Sequence, residues 1–145
     1  MLKGIPSILS PELMKVLMEM GHGDEIVLAD GNFPAASTAA RLVRCDGHGA
    51  MALLDAVLQF FPLDYAVRQP VALMAVTPGN PYQPHIWDEY FSCIKKYNDH
   101  FSGFEYMERF SFYDRASKAY AVAATGERAR FANVILKKGV VTENE

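Results

Sequence analysis

Cysteine is scarce in this sequence. Cys45 and Cys93 are the only two, and they form neither a CxxC pair nor a metal-finger spacing. That argues against a disulfide scaffold and a structural zinc site, and for free thiols in a reducing compartment. Long apolar runs are also missing. Nothing approaches the ~18 residues needed to span a bilayer, and Met1-Leu2-Lys3-Gly4 lacks the charged-then-apolar pattern of a signal peptide. The expectation is a cytoplasmic, soluble protein with no membrane partner. Basic stretches are absent too: the formal net charge is −3. The nearest thing to a cluster is Arg128, Arg130, Lys137 and Lys138, which reads as the decoration of a solvated hairpin. A nucleic-acid binder would carry a Lys/Arg stripe, so no nucleic-acid partner is expected.

Several catalytic motifs are lacking. There is no GxxxxGK[ST] loop, which leaves P-loop nucleotide hydrolysis without support. Gly21-His22-Gly23 and Gly47-His48-Gly49 each begin like a dinucleotide fingerprint but lack its third glycine. No GxSxG elbow occurs. The four histidines, His22, His48, His85 and His100, are far apart and show no HExxH spacing. A metal site would require distant residues to fold together, and none is expected.

What is present is the patterning of one compact domain, covering all 145 residues without repeat or linker. Ser10 is a natural N-cap and Pro11 suits the first helical position. Leu13, Met14, Val16, Leu17 and Met20 then mark an apolar face with helical spacing, and Gly21 can stop the helix in a left-handed conformation. Residues 25–30 read as a strand covered on both faces, with the continuous centre Ile26-Val27-Leu28-Ala29. A short strand follows at 41–45, then a helix over 50–60 with Asp46 as cap and Pro62 as stop. Strand 71–76, helix 85–98 and strand 105–109 come next. Ser111 then looks like the start of a helix. Residues 120–124 and 134–136 read as strands. Their nine-residue connection is long for a plain hairpin. The β/α alternation predicts an α/β fold, a three-layer α/β/α sandwich with a central mixed sheet.

Polar groups stand at the ends of these elements. Imidazole can give and take protons near neutral pH, and flanking glycines would leave His22 accessible; a helix-terminal His favouring the dipole explains it equally well. Asp30 ends a strand, where ligands often bind, though turn-forming Asp is just as common there. Arg109 and Tyr113 are either hydroxyl binders or a structural pair. Asn133 either contacts a ligand or closes a turn.

Taken together, the sequence resembles the L-fucose mutarotase family, which is related to D-ribose pyranase. The resemblance is carried by Leu2-Lys3-Gly4-Ile5-Pro6, Leu9-Ser10-Pro11-Glu12-Leu13, Met20-Gly21-His22-Gly23-Asp24-Glu25-Ile26, Leu28-Ala29-Asp30 and Asn32-Phe33-Pro34. Arg44, Asp46-Gly47, Glu108-Arg109-Phe110, Phe112-Tyr113, Thr125-Gly126-Glu127 and the stretch from Asn133 to Gly139 continue it. It is weaker from about Val67 to Phe104. The resemblance implies a catalytic His22 that donates a proton, and substrate-binding roles for Asp30 and Arg109. It also implies sugar contact by a segment that is usually Tyr-Gly-Asn and is Phe131-Ala132-Asn133 here. Phe131 lacks the family's hydroxyl, and Tyr113 or Tyr120 is the expected substitute phenol. No cofactor or metal is implied. The expected partner is a monosaccharide, and the expected assembly is a ring-shaped homo-oligomer, a decamer, with sites near subunit boundaries. In that reading Asp30 orients the imidazole of His22 or a hydroxyl. A sugar-binding protein without catalysis and a ribose pyranase are the alternatives.

Overall fold

A computed structural model describes all residues, Met1–Glu145. Helix α1 (Pro11–Glu19) begins as its sequence dictates: Ser10 Oγ accepts the Leu13 N–H at 3.1 Å and Pro11 fills the first position. It buries Leu13, Val16 and Leu17 on one face. It ends sooner than the apolar spacing suggests, because Met20 turns to extended backbone and enters the core. The left-handed residue beyond it is Gly23, with φ 87°, and not Gly21. Strand β1 (Glu25–Ala29), the short α2 (Ala35–Thr38), β2 (Leu42–Cys45) and α3 (Ala50–Leu58) follow. Asp46 does not cap α3. Its carboxylate is taken by Arg44, and Gly49 is the cap residue. The free Ala50 N–H is instead bound by Glu127 Oε2 at 3.1 Å, from 77 residues away.

The chain continues through β3 (Val71–Met74), α4 (Ile86–Tyr97), β4 (Glu105–Met107), α5 (Arg109–Lys118), β5 (Ala121–Thr125) and β6 (Val134–Lys137). Helix α5 starts two residues ahead of Ser111, because the Glu108 carboxylate accepts the N–H groups of Phe110 and Ser111 at 2.9 and 3.1 Å. Arg109 therefore opens the helix rather than closing the strand before it.

The six strands lie in the order β2-β5-β1-β6-β3-β4. Pairing is parallel throughout except on either side of β6, which runs against both β1 and β3. Side chains alternate across the sheet as the two-residue period requires. Ile26, Leu28, Leu73, Val134 and Leu136 face a large core covered by α1, α3 and α4. Val27, Ala29, Ala72 and Ile135 face a smaller one covered by α2 and α5. This is the expected three-layer sandwich. On the thinner side Arg115 of α5 bridges Glu25 and Glu105, at the starts of β1 and β4.

The long connection between β5 and β6 is not a hairpin, since β1 lies between those strands. It crosses the edge of the sheet instead, carrying Arg128 and Arg130 to the end opposite Lys137 and Lys138. Thr125-Gly126-Glu127 anchors it. The Thr125 hydroxyl donates to the Ala29 carbonyl at 2.7 Å, and Glu127 Oε1 accepts the N–H groups of Arg128 and Ala129. Gly126 passes so close to the Asp46 carbonyl that a Cβ there would sit 2.2 Å from its oxygen. Gly126→Ala is therefore expected to cost about 2–3 kcal/mol of stability through a forced backbone shift. Urea denaturation checks this, and a variant as stable as the parent would show that the crossover yields freely.

Candidate active site

The carboxyl ends of β1, β3 and β4 and the start of β6 meet at one edge of the sheet, where α/β folds commonly bind ligands. A depression of about 210 Å³ opens there, lined by Asp30, Phe33, Arg109, Tyr113, Arg130, Phe131 and Asn133 among others. Asp30 follows the last residue of β1 and is 7 % exposed. Its Oδ1 accepts the Asn32 N–H at 3.0 Å, and its own N–H donates to Asn133 Oδ1 at 2.7 Å. Asn133 thus ties the start of β6 to the end of β1. Burial pushes the Asp30 carboxyl above its ordinary range, against the opposing pull of hydrogen bonds from Asn32, Phe33, Ala132 and Asn133.

Arg109, at the first turn of α5, donates from Nε to the Tyr113 hydroxyl at 3.3 Å and lies 5.4 Å from that ring. Tyr113 is held by Phe33, with ring centroids 5.4 Å apart. The two thus act as a supported unit on the pocket wall. Phe131 adopts φ 56°, the one non-glycine residue in the left-handed region. A bulky side chain pays about 1–3 kcal/mol for that conformation and keeps it only where neighbours enforce it. Here α4 enforces it: Trp87 Nε1 donates to the Phe131 carbonyl and the Tyr90 hydroxyl to the Ala132 carbonyl, each at 2.7 Å. Burial raises the Tyr90 phenol far above its usual range, so it stays a donor. Ala132 is fully buried in the larger core, so its methyl does not narrow the pocket.

His22 is not in this pocket. It stands before β1, at the opposite edge of the sheet, roughly 15 Å or more from Asp30, given about 3.3 Å per strand residue. Asp30 therefore does not orient its imidazole within one chain. Asp64 does: His22 Nε2 lies 3.2 Å from Asp64 Oδ1, in a depression of about 500 Å³ that also includes Tyr65, Asn98 and Val140. Tyr120 lies outside the Asp30 pocket as well. Its hydroxyl donates to Glu19 Oε2 at 2.8 Å, and Arg41 covers its ring. Tyr113 is the phenol that reaches the pocket. Nowhere do three His, Cys, Asp or Glu side chains converge in a way that suits a metal ion.

Residues 3–141 match the model of the RbsD / FucU transport protein family. This chain belongs to that family. Among RbsD / FucU relatives, it is 49% identical over 140 residues to an L-fucose mutarotase of Actinobacillus pleuropneumoniae serotype 5b (strain L20), covering 97% of each chain. It is 48% identical over 149 residues to the fucose mutarotase of Homo sapiens, covering 99% of this chain and 96% of that one. A crystal structure of the fucose mutarotase of Streptococcus pneumoniae in complex with L-fucose superposes with a TM-score of 0.92 at 49% identity. That comparison covers 97% of this chain and 100% of the other. The RbsD / FucU assignment and the βα patterning thus agree on the fold.

Of the residues singled out in the sequence, the structure brings Asp30, Arg109, Tyr113, Phe131 and Asn133 to one pocket. It adds Arg130 to that lining, Trp87 and Tyr90 behind it, and Asp64 beside His22, none of which was singled out as a site residue. The i, i+3 spacing put the Trp87 indole and Tyr90 phenol on one helix face. Nothing in the sequence marks the carbonyls of 131 and 132 as their acceptors.

The raised Asp30 carboxyl has a stability consequence. A group that holds its proton more tightly when folded contributes stability below the unfolded value, about pH 4, and loses it as pH rises through the folded one. Asp30→Asn, which has no proton to lose, should gain stability relative to the parent at pH 7, and that margin should vanish on acidification below about pH 4. Thermal melts across that range test the sign. A parent more stable than the variant at pH 7, by a margin that collapses in acid, would mean the carboxyl is shifted downward.

Proposed function

We propose that the Asp30 pocket binds a free aldose, with L-fucose as the first candidate, and that the protein interconverts its α and β anomers. The observation that carries this reading is the convergence of a buried carboxyl, the Arg109–Tyr113 pair and the clamped 131–133 segment, in a chain so similar to named L-fucose mutarotases. Polar groups that fix hydroxyl positions beside aromatic walls suit a sugar. Arg109 and Asn133 hold hydroxyls. Phe131 and Tyr113 supply apolar faces.

Anomer exchange requires a proton on the ring oxygen and removal of the anomeric O–H proton. The C1–ring-oxygen bond then breaks to give the open aldehyde, rotation about C1–C2 exposes its other face, and the same steps run in reverse. Asp30, with its raised affinity for a proton, and His22, proposed as the proton donor, divide these roles. His22 reaches the sugar from a second copy of the chain. Head-to-tail contacts between unlike surfaces close into rings, and both edges of the sheet carry exposed apolar side chains. Phe60, Tyr65, Val140 and Val141 flank the His22 edge, and Tyr106 and Phe110 flank the Arg109 edge. A decamer is the proposed closed form.

No helix is long and apolar enough to cross a membrane. The two free, buried thiols fit a reducing compartment, and the cytoplasm is the proposed location.

Saturation-transfer NMR on L-fucose measures the exchange directly. His22→Ala should slow it by about 10²–10⁴-fold, the usual contribution of a positioned acid–base group, with the fold intact. Parental exchange in His22→Ala removes His22 from the mechanism. The missing hydroxyl of Phe131 favours a second reading, a binder without catalysis. The parent would then show sugar shifts on titration but no exchange. Running D-ribose beside L-fucose separates the pyranase alternative.

A further inference from the structure

We propose that Asp64 is the positioning residue for His22, and that by holding the Nε2 proton it makes Nδ1 the nitrogen that faces the sugar. This rests on the reading of His22 as an acid–base group.

The geometry is that of a built pair. Asp64 is 5 % exposed, and a buried carboxylate requires donors. Its Oδ1 has two: the Ala66 N–H at 3.0 Å and His22 Nε2 at 3.2 Å. Both partners are fixed by the same stretch of chain, the exit of β6. On one side the Asp64 N–H donates to the Lys137 carbonyl at 3.0 Å and the Gly139 N–H to the Pro62 carbonyl at 2.8 Å. The approach is so close that a Cβ on Gly139 would lie 2.4 Å from the Leu63 oxygen. On the other side the Gly23 N–H donates to the Lys138 carbonyl and the Lys138 N–H to the Asp24 carbonyl, each at 2.8 Å. Asp24 Oδ2 in turn accepts the Gly21 N–H at 2.7 Å. Three consecutive residues thus brace both the turn that presents the imidazole and the segment that presents the carboxylate.

A carboxylate can only accept, so the neutral ring carries its proton on Nε2 and leaves the Nδ1 lone pair outward. The His22 side chain is 54% exposed against 7% for Asp64, so the open side of the ring is the one away from the carboxylate. In turnover Nδ1 gives its proton to the ring oxygen while Asp30 of the neighbouring copy takes the anomeric O–H proton, and ring closure on the other face returns both. The Nε2 proton stays with Asp64 throughout, and no co-reactant is consumed.

Two arms test this on the full-length assembled protein, with L-fucose exchange as the readout. Nε2-methylhistidine at position 22, which loses the Asp64 bond but leaves Nδ1 free to carry the proton, should retain exchange at about the Asp64→Asn level. Nδ1-methylhistidine, whose neutral ring likewise has no Nε2 proton to donate, blocks the proposed reacting atom. With it, exchange should fall about as far as in His22→Ala, and a parental rate would overturn the assignment of Nδ1. Asp64→Asn should lower kcat by about 10²-fold with KM within about twofold, as expected of a carboxylate that orients a catalytic imidazole. In the His22→Ala background it should have no further effect. A parental kcat in Asp64→Asn, or an equal loss with and without His22, would make Asp64 merely structural. If His22→Ala itself exchanges anomers at the parental rate, the underlying reading of His22 fails, and that result is distinct from either arm.

Discussion

The hydrogen bond from the Asp30 N–H to Asn133 Oδ1 holds the candidate site together. It joins the end of β1 to the start of β6 across the sheet's one antiparallel intrusion. Every other group in the pocket is placed relative to that junction. The crossover from β5 must pass over β1 to reach it, which accounts for the anchoring by Thr125, Gly126 and Glu127. The Phe131 and Ala132 carbonyls, turned the other way by the left-handed residue, go to Trp87 and Tyr90. Arg109 arrives from the far side through the capped start of α5. The result is a small polar hollow whose walls are backbone and aromatic rings fixed by hydrogen bonds, so little ordering remains to be done when a ligand enters.

Two carboxylates and one imidazole divide the proposed chemistry between the two ends of β1. Asp30 is buried at the carboxyl end with its proton affinity raised. Asp64 is buried at the amino end, paired with His22. Because the strand separates them, the proposed site draws its two halves from two copies of the chain. The proposed ring would use the two ends of the sheet as complementary faces, and in that reading catalysis depends on assembly as well as on folding.

Much of this was legible in the sequence, for physical reasons. The apolar face of α1, its Ser10 cap and the uninterrupted apolar runs of β1 and β3 are local signals, and they placed those elements to within a residue or two. Asp30, Arg109, Tyr113 and Asn133 could be named because they stand at element ends in a pattern that resembles a known family. The failures are all long-range. The cap of α3 comes from Glu127 rather than from neighbouring Asp46. The 125–133 connection is long for a plain hairpin, but nothing local reveals that β1 is inserted between its strands. Asp30 was expected to orient the His22 imidazole or a hydroxyl, but within one chain an extended strand carries the two residues to opposite ends of the sheet. Asp64, 42 residues away from His22, has no local mark at all.

The claim that one site is shared between two copies is tested most directly by co-assembly. His22→Ala and Asp30→Asn chains are each expected to be nearly silent in L-fucose exchange. Co-expressed in equal amounts, they should regain about a quarter of the parental rate, since a head-to-tail interface is intact when one neighbour supplies His22 and the other Asp30. A mixed assembly as silent as its components would mean that His22 and Asp30 do not meet across subunits, and the account would fail.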